Sequence, residues 1–175
     1  METEAKMKSR AWTGWVLTLS TAVWIAGGCE PPVSLPPEPH ITSVDLITLG
    51  ETGELSIGFE DGDGNFGLDQ SDTTGSFCPT CPFHHNVFCT YEEQRNGEWT
   101  AIPLDPAIGQ VPFFYRAPRI EPTGQNKALR GTITVELAPR YYLTSDWDTL
   151  RFAIHIVDRD LQSSDTLRTL PVLKP

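Results

Sequence analysis

From Leu129 to Leu137, and again from Thr149 to Val157, apolar and polar residues alternate one for one. In the first run Leu129, Gly131, Ile133, Val135 and Leu137 fall on one side and Arg130, Thr132, Thr134 and Glu136 on the other. In the second, Leu150, Phe152, Ile154 and Ile156 oppose Arg151, Ala153 and His155. A period of two belongs to a strand with one buried and one wet face, and no window longer than a turn carries a helical period. Ile41–Leu49, Glu54–Glu60, Asn86–Gln94, Glu98–Ile102, Phe113–Arg116 and Thr166–Leu173 read as further strands. Asn96-Gly97 is the strongest hairpin turn signal, and prolines on both sides of Phe113–Arg116 confine it to a sheet edge. About seven to eight short strands without helices predict an all-β, antiparallel β-sandwich over residues 40–175.

Residues 1–28 read as a leader rather than as part of that domain. Lys6, Lys8 and Arg10 form a basic region, residues 11–26 are apolar, and Ala26-Gly27-Gly28 precede Cys29. The apolar stretch is short against the ~20 residues a membrane-crossing helix needs. Ile25-Ala-Gly-Gly-Cys29 resembles a bacterial lipobox, in which cleavage before the cysteine is followed by acylation with palmitate-type chains. Many lipoboxes carry Leu where this chain has Ala26, and an ordinary small-residue cleavage site with Cys29 as a bystander is the plainer alternative. Residues 29–39 hold the lipidated Cys29 and five prolines between Glu30 and Pro39, the composition of a semi-rigid polyproline tether.

The whole chain has a formal net charge of -10, and loss of residues 1–28 leaves the remainder more acidic still. That balance argues against nucleic acid, whose phosphates need a basic face. It also excludes charge-driven binding to acidic lipid, so attachment to the bilayer falls to the acyl chains on Cys29.

Phe59-Glu-Asp-Gly-Asp-Gly-Asn-Phe-Gly-Leu68 ends a strand in glycines and oxygen-bearing side chains. Together with the tether, the Asn96-Gly97 hairpin, the Leu129–Val135 run and the 148–159 segment, this turn resembles a group of uncharacterised outer-membrane lipoproteins of Bacteroidota. The resemblance covers nearly all of the chain after the leader. It implies an immunoglobulin- or fibronectin-like sandwich anchored in the outer membrane, facing the periplasm or the surface, and brings no assigned activity. Asp158, Arg159 and Ser163 or Ser164 match the second shared segment, whereas Cys78–Cys89 departs from the pattern.

Two candidate sites stand out. Asp61, Asp63 and Asn65 occupy the first, third and fifth places of an EF-hand-like spacing, with Asp72 at the twelfth. Phe66 at the sixth place, where a glycine is needed, rules out a true EF-hand. A calcium site of another kind requires Asp158 or Asp160 to lie beside this turn; otherwise the aspartates satisfy their own backbone in Asx turns. The second candidate is Cys78, Cys81, His84, His85 and Cys89, which could hold zinc. An exported chain favours a disulfide within the loop, and a thioredoxin-like role lacks its βαβ context. His155 reads as solvent-exposed, Asp158-Arg159-Asp160 as an ion pair at a strand end, and Trp99, Trp147, Tyr141 and Tyr142 as core or edge packing.

No Gly-x-Ser-x-Gly, phosphate loop, His-Glu-x-x-His or dinucleotide fingerprint occurs. The expectation is therefore not an enzyme but a lipid-anchored accessory or interaction module that meets other envelope proteins. The alternative is an exported metal-binding or redox-active protein using the Cys78–Cys89 loop.

Overall fold

The computed structural model describes residues 35–123, 125–137 and 141–175; Cys29 and the leader lie outside them. The described residues form nine strands in two antiparallel sheets. The strands are β1 (His40–Leu49), β2 (Thr52–Asp61), β3 (Val87–Arg95), β4 (Glu98–Ala101), β5 (Phe113–Tyr115), β6 (Leu129–Leu137), β7 (Thr149–Ile156), β8 (Leu167–Arg168) and β9 (Val172–Leu173). One sheet has the order β1-β2-β6. In the other, β3 lies beside β7; β4 and β5 share the far edge of β3, and β8 and β9 share the far edge of β7. The chain thus crosses between sheets after β2, β5 and β6, the connectivity of an immunoglobulin-like sandwich.

The divided edges have a chemical cause. Pro103 and Pro112 cannot donate to a ladder, so the strand beside β3 breaks into β4 and β5. The expected single strand Thr166–Leu173 likewise divides at Pro171, and Thr169 spans the gap. Its backbone N–H donates to Phe152 O at 2.9 Å, while Phe152 N–H donates to the Thr169 hydroxyl at 3.1 Å.

Alternation builds the core between the sheets. Leu55, Ile57 and Phe59 of β2 with Val135 and Leu137 of β6 meet Val87, Cys89 and Tyr91 of β3 and Leu150, Phe152, Ile154 and Ile156 of β7. Burial of each large apolar side chain contributes about 1.5–3 kcal/mol, whereas an exposed ion pair contributes about 0–1 kcal/mol. Core packing therefore dominates the stability of the domain.

The outward face of the second sheet is less wet than alternation predicts. His155 is only half exposed, because its ring stacks on Phe88 with centroids 4.9 Å apart, and burial lowers its pKa. The solvent-exposed reading of His155 is corrected accordingly. Trp99 packs on this outer face, with the Arg151 guanidinium 4.0 Å above its ring, while Tyr141 is buried in the core cluster.

Register places the loops at two ends. His40 faces Glu60, Asp61 faces Leu129 and Val87 faces Ile156, so the end of β2, the start of β3 and the end of β7 share the His40 end. Arg95, Leu137, Thr149 and Leu173 mark the opposite, Arg95 end. The proline segment comes in at the His40 end: Pro39 is buried, and Gly62 N–H donates to Pro36 O at 3.0 Å. A β-carbon at Gly62 would collide with the Leu35 and Pro36 carbonyls, which gives this glycine a steric reason.

Candidate functional site

At the His40 end the structure brings the aspartate turn and the segment after β7 together. Asn65 Nδ2 donates to Asp63 Oδ2 at 3.1 Å and to Asp160 Oδ2 at 3.0 Å, joining residues 95 apart in sequence. Asp61 is 1% exposed; its Oδ2 accepts from Phe66 N–H at 2.8 Å. Its Oδ1 is buried with no hydrogen-bond partner among the described residues, and the same is true of Asn65 Oδ1. Asp158 is also 1% exposed, and its carboxylate accepts from the backbone N–H of Gln162 at 2.8 Å.

No basic side chain forms a salt bridge to Asp61, Asp63, Asp158 or Asp160 among the described residues. Desolvation, reinforced by the charges of Asp63 and Asp158, pushes the Asp61 carboxyl up to about 6 against the hydrogen bond from Phe66. Burial raises Asp158 as well, with Asp160 and Asp63 adding to it. Four acids and one amide thus lie on two neighbouring segments, joined through Asn65 and Asp160, with no salt bridge to a basic side chain among the described residues.

The turn folds this way for local reasons. Phe66 leaves the loop to pack on Phe59 with centroids 4.7 Å apart, which draws its N–H onto Asp61. Gly64 has φ +73° and runs so close to Lys127 O that no β-carbon fits. On the opposing side, Leu161 has φ 64° in a turn closed by Asp158 N–H donating to Gln162 O at 3.0 Å.

The long loop after this turn is pinned by three arginines. Asp72 pairs with Arg159 through both guanidinium nitrogens, which holds its carboxyl below the usual range. This corrects two expectations: Asp72 is not available to the aspartate turn, and Arg159 pairs across to the loop rather than with its neighbours. Arg116 donates to the carbonyls of His84 and Asp69, each at 2.6 Å, and of Asp72 at 2.8 Å. Arg119 reaches Asp69 at 3.4 Å.

Within that loop Cys78 and Cys81 form a disulfide, with Cα atoms 5.0 Å apart. Neither sulfur is then a thiolate for zinc. Cys89 lies in the core as a free thiol, its pKa pushed up to about 12 by burial. His84 is held by the Phe77 carbonyl at 3.1 Å, and His85 lies edge-on against it. The five residues of the zinc reading are therefore split between a disulfide, the core and the loop. The Cys-Pro-Thr-Cys pair follows only a three-residue 3₁₀ turn, Gly75–Phe77, so no helix N-terminus activates it.

Sequence reasoning missed a second buried acid, at the Arg95 end. Glu93 is 0% exposed and accepts from Lys174 Nζ at 2.8 Å, Arg95 Nη2 at 2.7 Å, Ser145 Oγ at 2.8 Å and Tyr91 Oη at 3.2 Å. Burial opposes its ionisation, but Lys174, Arg95 and Ser145 outweigh that and bring it down to about 2. A sequence signal existed for both acids. Glu93 continues the inward phase of Val87, Cys89 and Tyr91, just as Asp61 continues that of Leu55, Ile57 and Phe59.

Among the described residues no helix is long and apolar enough to cross a membrane. Comparisons with known protein families, curated proteins and solved structures give no match to this chain.

Proposed function

We propose that the protein is a non-catalytic, lipid-anchored β-sandwich that serves as an accessory or interaction module at the outer membrane of a bacterium. The observation that carries this reading is the order Ile25-Ala-Gly-Gly-Cys29, proline segment, sandwich, in which the prolines reach the domain at a single end. A stiff spacer docked at one end of a domain suits presentation of the other surfaces away from a bilayer. The Cys78–Cys81 disulfide fits an oxidising compartment. The titratable groups with perturbed pKa values lie in ion pairs, in the core, in the acid cluster or, for His85 and His155, against neighbouring rings, and among the described residues none forms a nucleophile and base pair. Partners on this reading are the bilayer, through acylated Cys29, and other envelope proteins. The reading with a redox or metal-binding role for the Cys78–Cys89 loop gains nothing from a core Cys89.

Metabolic labelling with a radioactive fatty acid tests the proposal. The expected result is label on the wild-type protein, none on Cys29→Ser, and release of the variant from membranes. Equal membrane retention of an unlabelled wild-type protein would overturn it.

A further inference from the structure

We propose that Asp61, Asp63, Asn65, Asp158 and Asp160 form a calcium site that clamps the turn after β2 to the turn after β7, at the end of the sandwich where the proline segment docks. The inference stands independently of lipidation. Three observations carry it. The five side chains come from two segments that the fold brings within hydrogen-bonding distance, through Asn65 and Asp160. Asp61, 1% exposed, has a buried Oδ1 without a partner among the described residues, beside the Asp63 and Asp158 carboxylates. Asn65 also buries an unpartnered amide oxygen in the same turn. A buried acceptor left unmade is costly, and more so when charged, so a fold that keeps Asp61 Oδ1 unpartnered near further carboxylates calls for a positive partner.

The donor chemistry selects the ion. All the donors are hard oxygens, which suits calcium with its six to eight ligands at 2.3–2.6 Å. Magnesium demands near-ideal octahedral geometry and sheds water reluctantly, and zinc prefers nitrogen and sulfur. Among the described residues no three acidic, histidine or cysteine side chains are already closed around one point. Like charges hold the carboxylates apart until an ion draws them in. Half a turn of the Asn65 amide then exchanges its donor for its oxygen, and solvent completes the shell. Gly62 and Pro36 transmit the closure to the proline segment, because Gly62 follows Asp61 directly and holds Pro36 through its N–H.

The test measures thermal unfolding of the full chain in EDTA and in calcium chloride, with magnesium chloride as control. Calcium at about a hundredfold over its Kd should raise the wild-type Tm by on the order of 5–10 °C, with magnesium far weaker. Extracellular calcium modules bind with Kd on the order of 10⁻⁴–10⁻³ M. Asp61→Asn should keep the Phe66 hydrogen bond, melt no lower than wild type in EDTA, and lose the calcium shift. Asp63→Asn with Asp160→Asn alters only exposed carboxylates, so it should fold normally and weaken calcium at least tenfold. A wild-type Tm indifferent to calcium, an equal shift in the variants, or an equal response to magnesium would each overturn the proposal.

Discussion

The two ends of the sandwich each bury an acid on the inward phase of a strand, and they treat it in opposite ways. At the Arg95 end, Glu93 is enclosed by Lys174, Arg95, Ser145 and Tyr91, and its carboxyl is driven down to about 2. At the His40 end, Asp61 accepts one backbone N–H on Oδ2, leaves Oδ1 without a partner among the described residues, and its carboxyl rises to about 6. The same burial thus yields a permanent anion at one end and a reluctant one at the other. The first end is completed by the chain itself: Lys174 brings the C-terminal strand back to β3, and its Nζ also donates to Leu143 O at 2.8 Å. The second, on the calcium proposal, is complete only when an ion binds.

The contrast can be broken most forcefully at Glu93. Glu93→Gln keeps the shape but leaves Lys174, whose side chain is 10% exposed, without its counter-charge. Losing one partner of a buried pair costs about 3–5 kcal/mol, which urea unfolding should show as a large drop in midpoint at unchanged slope. A loss under about 1 kcal/mol would mean that the network is loose. Acid should act on the same group. Because Glu93 titrates below the ordinary value of 4.5 in the folded chain, its contribution is fully present above that pH and fades as the pH falls toward 2. Glu93→Gln should therefore flatten the acid limb of the stability curve in that window.

Asp61→Asn should have the reverse sign in EDTA, leaving stability equal or higher, because it removes a buried charge with no counter-ion. A loss comparable to that of Glu93→Gln would erase the difference between the ends. Reduction of the Cys78–Cys81 bond should cost less, about 2 kcal/mol by chain entropy for so short a loop. Alkylation after mild reduction should modify two thiols while leaving Cys89 unmodified until the chain unfolds. The smallest global effect belongs to Arg159→Ala. It frees Asp72 and should barely move the Tm, yet limited proteolysis should find new cleavage between residues 69 and 84.

How far the sequence reveals this arrangement depends on range. The alternation of β6 and β7 names most of their buried residues, because a period of two is local, although Gly131 is exposed and Ala153, on the outward phase, is buried. The Asn96-Gly97 hairpin is legible for the same reason, with φ 52° and 85° at its centre. The break of the last strand at Thr169–Pro171 is not, since a hydroxyl replaces part of the ladder there. His155 escapes because polarity indicates an outward side chain but says nothing of Phe88 stacking over it. At the candidate site, the aspartate turn and the segment after β7 are each visible, but their meeting depends on the packing of one sheet on the other, since β2 and β7 belong to different sheets. Asp72 lies at a plausible ligand spacing, and only the fold reveals that Arg159 takes it. Glu93 goes unseen because two of its partners, Ser145 and Lys174, lie 52 and 81 residues away.

The central claim, that one end of the domain is finished by the chain and the other by a cation, is most directly tested by hydrogen–deuterium exchange with and without calcium. The account predicts that calcium slows exchange in residues 61–68 and 157–163 and leaves 91–95 and 143–147 unchanged. Exchange that is identical in both conditions, or slowed equally at both ends, would contradict it.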